Sequence, residues 1–105
     1  MAKVDKDVFG DLCVAVGLPR PTPEYQFAKD IGRRWKTDWA WVPQKIALEL
    51  EGGAFKGHGH RSVGKFLRDM EKYNTLSIRG WRLLRVTTKD MNDGTVFDIL
   101  EQILR

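Results

Sequence analysis

The sequence has almost no cysteine, few prolines and no long apolar run, and each shortage excludes something. A single cysteine, Cys13, leaves no internal disulfide framework and no Cys-rich structural zinc site. No stretch approaches the roughly 18 consecutive apolar residues of a membrane-spanning helix, so no membrane partner is expected. The opening MAKVDKDVF lacks the apolar core of a signal peptide, which points to a cytoplasmic protein. Three of the four prolines crowd into PRPTPE at 19–24, leaving the rest of the chain free for regular structure. The 105 residues have room for one domain over 1–105 and one modest core. Charge is mildly one-sided, with 18 Lys and Arg against 14 Asp and Glu, a net +4. That excess permits a polyanionic partner without demanding one.

What is present is periodic. Val4, Val8, Leu12, Ala15 and Val16 recur near helical spacing; Asp5 or Asp7 can cap this helix, and Gly17-Leu18-Pro19 stops it. PRPTPE then reads as an extended connection. From 34 to 41 the period changes to two. Trp35, Thr37, Trp39 and Trp41 fall on one side, and Arg34, Lys36, Asp38 and Ala40 on the other. After Val42-Pro43-Gln44 the alternation resumes, with Ile46, Leu48 and Leu50 opposite Ala47, Glu49 and Glu51. The two runs read as an antiparallel hairpin whose apolar faces coincide, which assigns the tryptophans to a core ahead of base stacking. Asp38 then shares a polar face with Glu49 and Glu51.

GGAFKGHGHRS, at 52–62, carries four glycines and reads as a flexible loop. Ser62 can cap a helix with an inward face of Val63, Phe66, Leu67, Met70 and Tyr73, and Lys65, Arg68, Asp69 and Lys72 on its other side; Gly80 ends it. WRLLRVT, from Trp81 to Thr87, reads as a buried strand. Thr95 and Asp98 have capping-box spacing ahead of a final helix striped by Val96, Ile99, Leu100 and Ile103. The expected fold class is α/β: a small mixed sheet flanked by helices, in the order α-β-β-α-β-α.

The chemistry-bearing feature is the group Asp38, Glu49 and Glu51. Two like charges about 4 Å apart repel by about 4 kcal/mol at an effective dielectric of 20, so a fold that gathers carboxylates supplies compensation. Two readings stand. The acids can be a solvated strand face paired with Lys36, Lys45 or Arg34. They can instead hold a hard divalent cation, Mg²⁺ above all, for phosphoryl chemistry. His58 and His60 alternate in the glycine loop, but no neighbouring Cys and no H-x₃-H helix completes a zinc site. Phe55, with no periodic partners, can wedge into DNA or seal a dimer contact, and Lys56, Arg61, Lys65 and Arg68 form either a phosphate track or a solvated face.

The run RRWKTDWAWVPQKIALELEGG, followed by RDMEKYNTLSIRGWRLLRVT, resembles the PD-(D/E)XK nuclease superfamily, nearest to its small phage and bacterial members and the very-short-patch-repair branch. The likeness covers residues 24–87: an Asp on one strand, an E-x-acid motif on the next, a helix, and a G-W-x-L-L-R strand. It implies an αβββαβ-type core and metal-dependent cleavage of DNA phosphodiesters. Asp38 takes the place of the motif Asp and Glu49 that of the E in E-x-K, while Glu51 stands where lysine is usual. The resemblance implies a catalytic set of Asp38, Glu49, Glu51, Lys72 and His60. It implies Mg²⁺, with Mn²⁺ substituting, held by Asp38, Glu49, Glu51 and the Leu50 carbonyl, and Glu24 as an additional acid. Lys56, Arg61, Lys65 and Arg68 would hold DNA. The implied protein is a homodimeric endonuclease of a bacterial or phage-infected cell, acting on branched (Holliday junction-like) or nicked DNA. A restriction or mismatch-repair endonuclease, a non-catalytic nucleic-acid-binding module and a partner-binding protein are the alternatives.

Overall fold

The computed structural model describes residues 4–51 and 63–105. Helix α1 spans Lys6–Ala15, and the Asp5 carboxylate caps it by accepting the Asp7 and Val8 N–H groups. Gly17, at φ 87°, takes the left-handed turn that lets the Leu18 N–H bond back to the Cys13 carbonyl. The buried side of α1 is Phe9 and Cys13, one position on from the exposed Val8 and Leu12. The larger ring decides the rotation, because Phe9 meets Trp39 at 4.5 Å and Phe97 at 5.7 Å.

Strands β1 (Thr22–Gln26), β2 (Lys36–Trp41) and β3 (Ile46–Leu50) follow, with a 3₁₀ turn at Lys29–Ile31 between the first two. Helix α2 (Val63–Ile78) leads to β4 (Arg82–Val86), then α3 (Thr88–Asp93) and α4 (Thr95–Leu104) close the chain. The sheet runs β1-β2-β3-β4, antiparallel through β3, with β4 parallel to β3. The α/β class with a mixed sheet flanked by helices is therefore the observed one. The expected order needs correcting at PRPTPE, half of which is strand β1. An edge strand bonds on one side only, so Pro23 is tolerated there, opposite Trp39.

Each sheet face has its own apolar cluster. Trp39, Trp41, Ile46, Leu48 and Val86 pack against Phe9 and Cys13 of α1 and Val96 and Leu100 of α4. Both buried indoles find acceptors, Trp39 Nε1 donating to the Lys6 carbonyl (3.1 Å) and Trp41 Nε1 to the Pro19 carbonyl (2.7 Å). On the other face Ala47, Leu76, Phe27 and Ala28 are joined by Tyr25, Trp35, Tyr73, Trp81 and Leu83. Trp35 thus leaves the expected stripe: β2 begins one residue later, and the Trp35 ring stacks on Phe27 at 6.0 Å.

Two further expectations are corrected. The capping box belongs to Thr87 and Asp90, which open the unforeseen α3; α4 starts from left-handed Gly94, with the Thr95 N–H bonded to Asp93. The expected inward face of α2 holds only at Tyr73, which packs against the second cluster. Val63, Phe66, Leu67 and Met70 are exposed and Leu76 is its one buried residue, because α2 docks through its C-terminal half. There Arg79 grips Asp30 with two 2.8 Å bonds and donates to the Phe27 carbonyl. Among the described residues no helix is long and apolar enough to cross a membrane.

Burial pushes the Cys13 thiol from 9.0 up to about 11, against a small opposing pull from Arg20. The folded chain therefore keeps a proton that the unfolded chain loses between those values, and stability falls as pH rises through that window. Iodoacetamide at about pH 8 should leave native Cys13 unmodified and alkylate it fully in denaturant. Native-state alkylation at the rate of a free thiol contradicts this placement.

Candidate functional site

The strand register lines up a row of charges across the sheet. Pro23 and Tyr25 pair with Trp39 and Thr37, so Glu24 lies opposite Asp38. The β2–β3 register, continued one step beyond Trp39 and Leu48, brings Asp38 to Glu49, and Glu49 pairs with Arg85. Glu24 holds a left-handed φ of 48° within β1, an uncommon conformation for a non-glycine residue.

Asp38 is held from two sides. Its Oδ2 accepts the Leu50 N–H at 2.7 Å, and its Oδ1 accepts the Lys6 ammonium at 2.9 Å. Glu49, one-tenth exposed, receives the Lys72 ammonium at 2.5 Å, and the Asp38 and Glu49 carboxyl groups are near enough for each to bias the other's protonation. These contacts set opposite electrostatics. Burial alone would raise Asp38, but the Leu50 N–H and Lys6 outweigh it and hold its carboxyl below the usual range. Burial also raises Glu49; Lys72 opposes it, the Asp38 charge reinforces it, and the balance leaves Glu49 high. One carboxylate is thus stabilised as the anion while its neighbour is biased toward the proton.

Helix α2 is turned so that charge faces the sheet. Asp69, Lys72 and Tyr73 are half-buried while Phe66 and Leu67 stand in solvent. Tyr73 lies under Lys72 (5.5 Å) and Arg85 (4.9 Å), and burial, with the Glu49 and Glu51 charges, pushes its hydroxyl up to about 12. Lys72 therefore meets Glu49 across the end of the sheet.

Glu51 is placed differently. Arg85 Nε holds its carboxylate at 2.8 Å, and among the described residues no group of three or more Asp, Glu, His or Cys side chains converges as a metal site. Lys65 lies 3.3 Å from Asp69 on an exposed turn of α2, and Arg68 is exposed on the same helix. Phe55, Lys56, His58, His60 and Arg61 lie outside the described residues. Sequence reasoning missed Lys6 and Arg85. A lysine at the first position of a helix carries the wrong sign for the helix dipole, and that was the available signal for Lys6. Arg85 shares strand parity with Leu83, and the parallel pairing to Glu49 was not readable locally.

Over 75 residues the chain is 28% identical to an uncharacterized protein of Mycobacterium tuberculosis, found equally in two strains. The match covers 71% of this chain and 26% of each relative, so the chain spans about a quarter of the length of the curated relatives it matches. No family model matches the sequence, and no solved structure matches the fold.

The opposed carboxyl groups give a pH test. Asp38, lowered from 3.8, stabilises the fold above its unfolded value, and that contribution is lost as pH falls through the depressed one. Glu49, raised from 4.5, has the reverse sign and loses its contribution as pH climbs through the raised value. Urea unfolding across the acid range should show a shallower acid limb in Asp38→Asn, whereas Glu49→Gln should remove the decline above the ordinary Glu range. Limbs superposable on wild type in both variants contradict the assignment.

Proposed function

We propose that the protein is a magnesium-dependent endodeoxyribonuclease that hydrolyses phosphodiester bonds, selecting branched or nicked DNA by shape. The observation that carries this reading is the meeting of Asp38, Glu49 and Lys72, from three separate elements, at one end of the sheet. A helix that turns Asp69 and Lys72 inward while leaving Phe66 and Leu67 in water gives up stability, as sites of function do.

Magnesium takes hard oxygen donors, commonly one or two carboxylates with several waters retained, and the pair of half-buried Asp38 and buried Glu49 fits that demand. Asp38, Glu49 and the Leu50 carbonyl would hold the ion; Glu51, engaged by Arg85, would not. Bound there, the ion would polarise a phosphoryl oxygen and lower the pKa of an attacking water. The Leu50 N–H keeps the Asp38 carboxylate in one orientation. The Lys72 ammonium, seated on Glu49, orients the water and balances charge that builds on the phosphoryl oxygens. Lys65 and Arg68, on the exposed turns of α2, contact flanking phosphates. Two cuts in a duplex call for two such sites, which a homodimer supplies.

Glu51 favours a second reading, a DNA-binding module without turnover. An acid stands where the motif lysine is usual, and its charge is already matched by Arg85.

Labelled duplex, nicked, flap and four-way-junction DNA, incubated with Mg²⁺, Mn²⁺ or EDTA, separates the two. Wild type should cleave only with metal, and Asp38→Ala and Lys72→Met should each lose about 100-fold or more. Salt-dependent DNA binding without cleavage by wild type leaves the binding module. Neither binding nor cleavage overturns both readings.

A further inference from the structure

We propose that Lys6 is a built-in counter-ion of this site: its ammonium occupies the Asp38 carboxylate, yields it to a divalent cation, and moves onto Glu24 as it leaves. The inference rests on the metal-site reading of Asp38. Several observations, on α1, β1 and the β2–β3 hairpin, converge on it.

Lys6 is the first residue of α1, where the helix dipole and the unpaired N–H groups disfavour a cation. Its placement therefore answers to something other than the helix. The Nζ atom stands 2.9 Å from Asp38 Oδ1 and 3.3 Å from Glu24 Oε1, so two acceptors share it. They differ in depth, with the Asp38 side chain 26% exposed and that of Glu24 57%. The deep acceptor belongs to the candidate site and the shallow one lies beside open space, a hollow of about 300 Å³ lined by Val4, Lys6, Asp7, Pro23 and Glu24.

Glu24 supplies the second unusual feature. It sits opposite Asp38 in the register with a φ of 48°, a conformation that glycine adopts without cost and a glutamate does not. The carboxylate that this backbone carries reaches Lys6. The Lys6 backbone, by contrast, is tied down, because its carbonyl accepts the Trp39 indole N–H. A lysine with a fixed backbone, a flexible four-carbon stem and a second acceptor nearby can exchange partners without moving α1.

The Leu50 N–H already occupies Asp38 Oδ2, so an incoming cation competes with Lys6 for Oδ1. An ammonium and a divalent ion on one oxygen repel strongly in a half-buried setting, and the singly charged Lys6, with Glu24 as a second acceptor, is the one that gives way. Lys6 thereby keeps Asp38 ionised and oriented between binding events and sets a threshold for cation occupancy.

Mn²⁺ binding, followed by electron paramagnetic resonance on the full chain, tests this without any cleavage assay. Lys6→Met should bind Mn²⁺ about tenfold more tightly than wild type. Glu24→Gln, which removes the charge of the second acceptor, should bind it several-fold more weakly, and the Lys6 side-chain ¹⁵N resonance of wild type should shift as Mg²⁺ is added. Asp38→Asn should abolish binding. Equal or weaker binding by folded Lys6→Met overturns the inference while leaving the metal site standing. Absence of Mn²⁺ binding from wild type and Lys6→Met alike, at millimolar metal, overturns the metal site itself. Should Lys6→Met fail to fold by circular dichroism, Glu24→Gln decides, and binding equal to wild type there overturns the exchange.

Discussion

Two carboxyl groups, Asp38 and Glu49, face each other across neighbouring strands within a half-buried pocket of charge, and much of the surrounding structure answers the repulsion between them. Lys6 arrives from α1, Lys72 from α2, and the Leu50 N–H from the end of β3. Each contribution comes from a different element, so the pair can be accommodated only when α1, the hairpin and α2 are docked together. The compensation is unequal. Asp38 collects one cation and one backbone donor and is kept anionic, while the more buried Glu49 is left with a high proton affinity beside a single lysine. That asymmetry separates a carboxylate that holds a fixed charge from one whose charge can be exchanged.

The same constraint explains the unusual orientation of α2. Burying Phe66, Leu67 and Met70 would gain roughly 1.5–3 kcal/mol for each fully buried side chain. The helix instead turns Asp69, Lys72 and Tyr73 toward the sheet and anchors itself through Leu76 and the Arg79–Asp30 pair. A buried charged pair rarely improves stability over apolar packing, so stability alone does not account for the orientation of α2. Arg85 extends the arrangement sideways, drawing Glu51 out of the Asp38–Glu49 group and stacking over Tyr73.

Much of this was legible beforehand where the signal was local. The period-two runs around Val42-Pro43-Gln44 were enough to pair β2 with β3 and to set Asp38 beside Glu49. The final helix showed its Val96–Leu100 stripe plainly. Other features were hidden for physical reasons. Strand β1 emerges from the proline-rich stretch PRPTPE, carries Pro23 itself, and acquires strand character only by pairing with β2 at an edge. The apolar stripe of α2 is real in sequence yet faces outward, because periodicity shows that a helix has two faces without saying which one docks. Thr87 and Thr95 both stand three residues before an aspartate, and only the Thr87 side chain closes its box.

The sequence by itself determined the α/β class, the hairpin, the burial of Trp39 and Trp41, and the common face of Asp38 and Glu49, since all of these follow from spacing between near neighbours. Tertiary structure alone decided that Lys6 reaches Asp38, that Lys72 meets Glu49, and that Arg85 claims Glu51. Those contacts join residues 32, 23 and 34 positions apart. Their existence depends on how α1 and α2 rotate against the sheet and on β4 running parallel to β3, and both are settled by competition between whole faces for the same core.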